Sequence, residues 1–328
     1  MRGRPTLERV LARLDGEIKR LHDITGGLPK SIEVDSVWKN IWLEETHHST
    51  ALEGNTLTPR EVYLLVEQGA VYGRKELLHY LEVKGYAGAA RWVYEEGSRM
   101  FKNNKFELSL SHIRHVHTLL MRPAWDISPP VSGESAGEFR HTTISIAGSA
   151  LKPPAAGEVP ALMDGWVDLV NKGPKDHPVV WAAEAHAEFE AVHPFADGNG
   201  RTGRLLMNLM LIAHGYPPAI IMKVQRNKYL GALQKAITKQ DTRTLAELVA
   251  RAVSQNTNKL LLPYFSEEAD LIPLAELAEV TGYEHSYLRR LAQEGKLKAV
   301  KGEGGWLSSQ AWFNDYMHYR KPSGRRKS

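Results

Sequence analysis

The segment HPFADGNGRTGR, residues 193–204, contains residue types that could move a proton and bind negative charge. An apolar helical pattern over residues 179–192 precedes it. Pro194 cannot continue that helix, because it lacks an amide hydrogen and restricts the residue before it. His193 is therefore expected at the start of a tight loop, where its imidazole could serve as an acid or a base.

The second half of this segment combines glycines, arginines and a carboxylate. Gly198 and Gly200 would let the backbone approach a ligand, and a helix beginning at Gly200 or Arg201 would offer unpaired amides to a phosphate. Arg201 and Arg204 would add charge-assisted contacts from the first turn of that helix. Asp197 is unusual in an anion site but fits Mg²⁺, which binds carboxylates together with phosphate oxygens. The pattern predicts a site for a Mg²⁺-bound polyphosphate.

Two alternatives compete with this interpretation. A His-Pro pair or a Gly-Asn-Gly sequence alone usually marks a helix end or a turn, but the combination with an acid and two arginines favours a functional site. His186, Glu190 and His193 also have a spacing that resembles zinc ligation. A zinc site would lack the usual His-Glu-x-x-His order and would leave the glycines and arginines unexplained.

The composition limits the class of protein. The chain has 328 residues, which favours two domains or one domain with appendages. With 42% apolar and 24% charged residues, it is typical of soluble globular proteins. The sequence contains no cysteine, which excludes a disulfide framework and a thiolate metal site. No signal segment or membrane span is apparent, so we expect a cytoplasmic protein without a membrane partner.

Helical periodicity dominates up to about residue 262 and predicts a mainly α fold. Thr58 and Glu61 form a capping box around Pro59, and Gly54 and Gly215 lie where left-handed glycines end helices. The predicted helices cover residues 37–52, 61–71, 76–94, 108–121, 159–170, 179–192, 201–214 and 227–237. Residues 128–154 form the main non-helical interval. Ile144 and Ile146 alternate there before Gly148, which predicts a long loop that ends in a short β-hairpin.

The twelve-residue motif resembles the signature of the Fic family, enzymes that transfer AMP from ATP to a protein hydroxyl. The family pattern extends from Gly137-Glu138-Phe139-Arg140 through the hairpin and Pro153-Pro154 to Arg226 and Tyr229. The resemblance implies a Fic-type helical core with a short β-hairpin flap. It also implies ATP as substrate, Mg²⁺ as cofactor, and a target protein or the chain itself as acceptor of AMP.

The resemblance assigns roles to individual residues. His193 would be the general base for a Ser, Thr or Tyr hydroxyl, Asp197 the Mg²⁺ ligand, and Phe195 the core anchor of the loop. Tyr229 would line the adenine pocket, with a core aromatic as the alternative. The implied nucleotide-binding residues are Phe195, Asp197, Gly198, Asn199, Gly200, Arg201, Thr202, Gly203, Arg204 and Tyr229. The implied flap, which would pair with the target's backbone, is Ile144, Ser145, Ile146, Ala147 and Gly148.

A second motif, STALEGN, occupies residues 49–55. Ser49 and Glu53 are four residues apart and share a helix face, and Gly54 ends the helix. This stretch resembles the Fic inhibitory motif, which implies that Glu53 pairs with Arg204 and keeps the γ-phosphate out of its productive position. Glu53 could also serve a reverse reaction, in which water removes AMP. The preceding pair, residues 47 and 48, consists of histidines that point apart on a helix and suit a solvated or core role.

The net positive charge of the chain, +4, is carried by its C-terminal end. Residues 271–328 contain ten Lys or Arg against six Asp or Glu residues, which favours binding of a polyanion. Their helix, turn, helix and strand pattern resembles a winged helix-turn-helix domain of the excisionase and MerR-like type. The implied partner is duplex DNA, and the basic tail at 321–328 would add phosphate contacts. The implied DNA-binding residues are His285, Ser286, Arg289, Arg290, Lys296, Lys298 and Lys301. A helical scaffold with a solvated charged face is the alternative.

The predicted domains are an N-terminal helical region with the inhibitory helix (1–105), a Fic catalytic core (106–262), a linker (263–270), a winged helix-turn-helix domain (271–320) and a basic tail (321–328). The predicted function is AMP transfer with release of pyrophosphate, inhibited by Glu53. The alternative is a DNA-binding transcriptional regulator that senses nucleotide and turns over little. A homodimer is compatible with both, and the sequence does not identify the target protein.

Overall fold

The structure, a computed structural model, describes residues 6–29, 31–33, 35–71, 73–145, 152–264, 271–302 and 304–319. It is mainly helical, as predicted. The helices are α1 (Leu7–Thr25), α2 (Ser36–Leu52), α3 (Pro59–Gln68), α4 (Leu77–Lys102), α5 (Leu110–Trp125), α6 (Val159–Val170), α7 (Pro178–Val192), α8 (Asn199–Ala213), α9 (Arg226–Lys239), α10 (Arg243–Leu261), α11 (Leu274–Thr281), α12 (His285–Gln293) and α13 (Gln310–Tyr319).

The chain divides into two compact units. The larger unit comprises Leu28–Val249, and the smaller one comprises Met1–Gly27 together with Ala250–Ser328. This division differs from the predicted domains, since α1 groups with the C-terminal residues instead of with region 1–105. Within the smaller unit, the Ser254 hydroxyl of α10 donates to the Glu17 carboxylate of α1. Residues 265–270, most of the predicted linker, lie outside the described residues.

The core of the larger unit surrounds α8. Helix α4 packs against α2, α5 and α8, and α7 packs against the other side of α8. Every residue of α8 from Arg201 to Ala213 is buried. A helix that is enclosed on all sides is expected to be apolar around its whole circumference, and the LLMNLMLIA sequence at 205–213 meets this requirement except at Asn208, which donates to Glu45. The first two turns of α8 are also an exception, because they carry Arg201 and Arg204.

The predicted helices are present, with shifts of up to four residues at their ends except for the C-terminal end of α4. The capping box is confirmed, because Thr58 accepts from the Glu61 amide while the Glu61 carboxylate accepts from the Thr58 amide. Helix α3 ends at Gln68 instead of Val71, since Gly69 takes a left-handed conformation with φ of 63°. Helix α4 continues eight residues beyond Tyr94. Helices α1 and α10 are not among the predicted spans, although both lie in the region where helical periodicity dominates.

The smaller unit contains the three-stranded antiparallel sheet. Its strands are β1 (Ile272–Pro273), β2 (Val300–Gly302) and β3 (Gly305–Ser308), in the order β1-β3-β2. Helices α11 and α12 are joined through Gly282, which has a left-handed φ of 70°. The core that holds these elements together is formed by Leu274, Leu277, Leu288, Leu291, Ala292, Leu297, Ala299 and Phe313.

The predicted β-hairpin falls partly on undescribed residues. In the described part of residues 128–154, no strand forms. Ile144 and Ser145 belong to this part, whereas Ile146, Ala147 and Gly148 lie outside the described residues. Across the described ranges of the chain, we find no helix that combines the length and apolar character needed to cross a membrane.

Candidate active site

His193 is the residue at which α7 ends. It has a left-handed backbone with φ of 50°, and its amide donates to the Phe189 carbonyl at 2.9 Å. A residue with a β-carbon is strained in this conformation, and strain of this kind accumulates at functional sites. Pro194 follows directly, so the chain leaves the helix axis at the imidazole, as the sequence predicts.

The imidazole of His193 is oriented by its own helix. Nδ1 lies 3.3 Å from the Glu190 carbonyl oxygen and 3.7 Å from the Glu190 carboxylate. The tautomer with hydrogen on Nδ1 donates to the carbonyl and leaves Nε2 as a proton acceptor. Burial lowers the pKa of His193, assisted by the positive charge of Arg140, while the contact with the Glu190 carbonyl and the charges of Asp197 and Glu53 raise it. The net effect is a lowered pKa, which favours the neutral imidazole at pH 7.

The loop after His193 is held by reciprocal hydrogen bonds. The Phe195 amide donates to Asn199 Oδ1 at 2.9 Å, and Asn199 Nδ2 donates to the Phe195 carbonyl at 2.8 Å. The Phe195 ring is fully buried and stacks on His117, with 3.7 Å between the ring centroids. Gly198 has a φ of 77°, which favours glycine. The side chain of Asn199 is thus used to hold the loop. Only its backbone amide remains to contact an anion.

Helix α8 begins at Asn199, one or two residues earlier than predicted, so its first amides lie in the glycine loop. Asp197 Oδ1 accepts from the Gly198 amide at 2.6 Å, and the Asp197 side chain remains 65% exposed. Arg201 is buried and lies 3.4 Å from Asp197 Oδ2 and 3.5 Å from Glu82 Oε1. A buried guanidinium and a helix N-terminus therefore lie beside an exposed carboxylate, which suits a phosphate group with a bound cation.

Arg204 is enclosed by the end of α2. Its Nε donates to Ser49 Oγ at 2.8 Å, and its Nη2 donates to the Ser49 carbonyl at 3.0 Å and to Glu53 Oε1 at 2.7 Å. Only 3% of Arg204 is exposed. Burial alone would raise the pKa of Glu53, but the guanidinium of Arg204, with Arg201 and Arg226, outweighs it and lowers the pKa. The structure thus brings together Arg204, Ser49 and Glu53, which are separated by about half the chain.

Gly200 makes this contact possible. A β-carbon at this position would lie 2.7 Å from Glu53 Oε1 and 3.2 Å from Arg204 Nη1. Gly54 ends α2 with a φ of 100° directly after Glu53. Gly200 therefore has a steric reason that the sequence pattern alone does not give, whereas Gly54 ends the helix as predicted.

Other predicted site residues lie behind the loop. Thr202 is fully buried, and its amide donates to the Gly198 carbonyl at 2.9 Å. Gly203 faces Glu190 and His186, whose atoms lie 2.7 and 2.8 Å from the position a β-carbon would take. Tyr229 is 2% exposed, and its hydroxyl lies 2.7 Å from His186 Nε2. This position favours the core aromatic over the adenine pocket.

The zinc alternative finds no support in these contacts. His186 Nε2 is engaged with Tyr229, and His193 Nδ1 faces the Glu190 carbonyl. Among the described residues, no group of three or more His, Cys, Asp or Glu side chains could hold a metal ion.

Several residues that shape the site are not indicated by the sequence. His117 lies between two segments of the site, since its Nε2 is 3.0 Å from the Asp197 carbonyl and its Nδ1 accepts from the Gly137 amide at 2.8 Å. Burial lowers the pKa of His117 to about 4, so the ring is neutral. The sequence points to Glu190 only as a zinc candidate, and no motif indicates Glu82. These residues lie on regular helices outside the motif, and only the fold shows their proximity.

The predicted DNA-binding residues are distributed over the smaller unit. His285, Ser286, Arg289 and Arg290 are exposed on α12, and Lys301 is exposed on β2. Lys296 pairs with Glu294, and Lys298 Nζ lies 4.6 Å from the ring centroid of Trp312. Burial lowers the pKa of Lys298. The four α12 residues are therefore exposed to a ligand, although the Arg290 guanidinium lies 5.4 Å from the ring centroid of Tyr287, and the two lysines also have neighbours within the unit.

A histidine at a helix end, a glycine loop, a helix N-terminus and two buried arginines form an arrangement that is suited to phosphate binding and proton transfer. Residues 107–211, which include α5 to α7 and most of α8, match the family model described as the Fic/DOC family. The chain therefore contains a Fic domain.

Relatives are similar over a longer region. The protein adenylyltransferase Fic of Culex quinquefasciatus is 30% identical over 290 residues, which are 88% of this chain and 54% of that protein. The chain spans about half the length of the curated relatives it matches. The structure is similar to Fic-1 from C. elegans, with 25% identity, a TM-score of 0.64, and coverage of 77% of this chain and 71% of that one. A Fic domain containing signaling protein from Bacteroides thetaiotaomicron is also similar, with 25% identity, a TM-score of 0.63, and coverage of 76% and 96%.

Proposed function

We propose that this protein transfers AMP from ATP to a hydroxyl side chain of a target protein or of itself. The observation that carries the proposal is the position of His193 beside the N-terminus of α8, with a proton-accepting Nε2 next to a loop built for phosphate. The activity in the names of its relatives, protein adenylyltransferase, supports the same reaction.

In this mechanism, the amides at the start of α8 and the side chains of Arg201 and Arg204 bind the phosphates of ATP. His193 Nε2 takes the proton from a Ser, Thr or Tyr hydroxyl as the hydroxyl oxygen attacks the α-phosphorus. A bond forms between this oxygen and phosphorus, and the bond from the α-phosphorus to the bridging oxygen breaks. Pyrophosphate leaves with its charge balanced by the arginines, and AMP remains on the target.

The residues present fit a Mg²⁺ ion. Asp197 offers one exposed carboxylate beside the predicted phosphate site, and Mg²⁺ usually binds one or two carboxylates together with substrate phosphates. When bound, Mg²⁺ would neutralise charge on the phosphates of ATP. Because Arg201 lies 3.4 Å from Asp197, the same carboxylate also orients the arginine.

We propose that α2 inhibits this reaction. Three hydrogen bonds from Arg204 go to Ser49 and Glu53, so the guanidinium is already occupied where a γ-phosphate would need it. A phosphate that bound Arg204 would also place its charge against the ionised Glu53. Inhibition therefore follows from competition between a carboxylate and a phosphate for one buried guanidinium.

The predicted flap is part of the proposal. Ile144 and Ser145 begin it, and it would align the target by pairing with an extended stretch of its backbone. Recognition of backbone would make the enzyme tolerant of target sequence, which is consistent with modification of the chain itself.

A second candidate function is binding of duplex DNA by the smaller unit. The supporting observation is the row of exposed His285, Ser286, Arg289 and Arg290 on α12, the second helix of a helix-turn-helix arrangement followed by β2 and β3. A helix in this position commonly enters the major groove, and its arginines contact bases or phosphates. Such binding would make the protein a nucleotide-responsive regulator, with or without turnover.

The reaction type is tested by incubating Glu53→Gly with Mg²⁺ and ATP labelled at the α- or the γ-phosphate, alone and with a cell lysate. The proposal predicts protein label from the α-position only, with the mass of AMP on the labelled protein. Label from the γ-position would show phosphate transfer instead and would contradict the proposal.

A further inference from the structure

Arg140 is a buried arginine to which the proposed mechanism gives no role. It lies in the loop between α5 and α6, it is 2% exposed, and the side-chain hydrogen bonds it makes to described residues go to backbone carbonyls. Burial lowers the pKa of Arg140, although a guanidinium remains charged at any physiological pH. A charged group enclosed in this way is costly unless its hydrogen bonds are satisfied and it has a purpose in the fold.

The first contact of Arg140 is with the catalytic loop. Its Nε donates to the His193 carbonyl at 2.8 Å, and its Nη2 lies 3.4 Å from the Val192 carbonyl. Its backbone amide donates to the Pro194 carbonyl at 2.9 Å. Arg140 thus binds three successive carbonyls at the end of α7, where the helix itself leaves carbonyls unpaired. It stabilises the left-handed turn that presents the imidazole.

The second set of contacts is with the two ends of the predicted flap segment. Nη1 donates to the Thr142 carbonyl at 3.1 Å, and Nη2 donates to the Pro154 carbonyl at 2.7 Å. Thr142 precedes the flap and Pro154 follows it. The planar guanidinium has five donors in a fixed fork, so it can hold the three segments at defined relative positions, which a lysine cannot do.

Glu134 supports the first of these ends. It is 2% exposed, and its Oε1 accepts from the His141 amide at 3.1 Å and from Thr142 Oγ1 at 3.4 Å. Thr142 is therefore held by two buried side chains, through its carbonyl by Arg140 and through its hydroxyl by Glu134. A displacement of the catalytic loop relative to the flap ends would break hydrogen bonds at both places.

We infer that Arg140 is a positioning residue that couples the catalytic base to the target-binding flap. Its guanidinium fixes the distance between the His193 backbone and the two flap ends, and hence between the base and the hydroxyl that the flap would present. This inference rests on the proposed function. A misplacement of about 1 Å between reacting groups lowers a rate by about 100-fold.

Arg140 also acts on His193 through its charge. The groups that affect the imidazole are Glu190 on α7, Asp197 in the loop, Glu53 at the end of α2 and Arg140. Of the four, Arg140 supplies positive charge, which lowers the pKa of His193 and keeps the base unprotonated. Arg140 therefore affects His193 both through its hydrogen bonds and through its charge. Two substitutions can distinguish these two effects.

The test compares Arg140→Lys and Arg140→Gln in the Glu53→Gly background. Arg140→Lys keeps the charge but loses the planar guanidinium. We expect AMP transfer to fall by about 10- to 100-fold, with a higher KM for the protein target, unchanged affinity for ATP and no shift of the pH profile.

Arg140→Gln loses both the guanidinium and the charge. The acidic limb of its kcat/KM profile should therefore move to higher pH, because the pKa of His193 rises. Arg114→Lys is the matched control, since Arg114 is exposed on α5 and lies over the Phe139 ring, and it should leave transfer unchanged.

Amide hydrogen exchange gives a readout without activity. In Arg140→Lys we expect faster exchange of the amides of residues 141–143, 193 and 195, while the exchange of α8 stays at the parent's rate. Parental rates of transfer and of exchange in Arg140→Lys would overturn the inference, as would an unmoved acidic limb in Arg140→Gln. If the Glu53→Gly parent itself incorporates no AMP, the proposed function fails, and only the exchange result bears on Arg140.

Discussion

At the scale of single residues, the site depends on side chains whose protonation is set by burial. Glu190 lies 3.7 Å from His193 Nδ1, and burial raises its pKa to about 8 despite the nearby charge of Arg204. Glu190 is therefore mostly a neutral acid at pH 7. Burial shifts the pKa of the neighbouring His193 in the opposite direction, downward, so its imidazole is also mostly neutral and can accept a proton.

The raised pKa of Glu190 makes stability depend on pH. Between pH 4.5 and 8 the folded protein binds a proton at Glu190 that the unfolded chain has released, so this contribution is present below pH 4.5 and lost as pH rises through 8. We expect Glu190→Gln, which cannot ionise, to remove the loss. The wild type should become less stable relative to the variant between pH 5 and pH 8, by up to a few kcal/mol in urea unfolding. Parallel pH dependences of the two proteins would contradict this assignment.

At the scale of elements, α2 presents a polar stripe to the core. Glu45, Ser49 and Glu53 follow one another at intervals of four residues and so share a face. Glu45 is 2% exposed and accepts from Tyr94 at 2.6 Å and from Asn208 at 2.9 Å. The end of α2, where Glu53 contacts Arg204, is therefore anchored two turns earlier by a buried carboxylate.

Removing one donor of this anchor should destabilise the protein. Tyr94→Phe deletes the hydroxyl that donates to Glu45 Oε2 and leaves a buried oxygen short of a partner. We expect a loss of about 1–3 kcal/mol in the free energy of unfolding. Tyr63→Phe is the control, because Tyr63 is 46% exposed and should change stability little. Equal stabilities of the two variants would show that the anchor contributes nothing.

The helices could be predicted from the sequence more readily than the contacts between distant segments. The periodicity of apolar residues identified α6 with both ends correct and α2 within one residue, because each helix buries one continuous face. The glycine loop was predictable because its residue types leave few other conformations. Glu45, His117 and Arg140 were not predictable as site residues, since their roles depend on contacts between segments that are distant in sequence. Only Arg204 with Ser49 and Glu53 was found across such a distance, through the family resemblance.

At the scale of the whole molecule, the chain combines two compact units with different surfaces. The larger one holds the Fic domain, and the smaller one carries the exposed basic residues of α12. We expect duplex DNA binding to weaken steeply with salt, because release of counterions from phosphates drives such binding.

The DNA proposal is tested with the full chain. Arg289→Ala/Arg290→Ala should weaken binding of duplex DNA and reduce the slope of log K against log salt concentration by about 0.9 for each phosphate that the variant no longer neutralises. AMP transfer in the same variant should stay at the wild-type level. Binding that is independent of salt, or unchanged in the double variant, would remove the support for a DNA partner.

The most direct test of the whole account compares AMP transfer by wild type, Glu53→Gly and Glu53→Gly/His193→Ala, with α-labelled ATP and Mg²⁺. We predict that Glu53→Gly raises incorporation by about 5- to 150-fold, because Arg204 becomes free for the γ-phosphate. The double variant should lose about 10²- to 10⁴-fold relative to Glu53→Gly, since the general base is gone. Equal incorporation by wild type and Glu53→Gly would contradict the inhibitory role of α2, and undiminished incorporation by the double variant would contradict catalysis by His193.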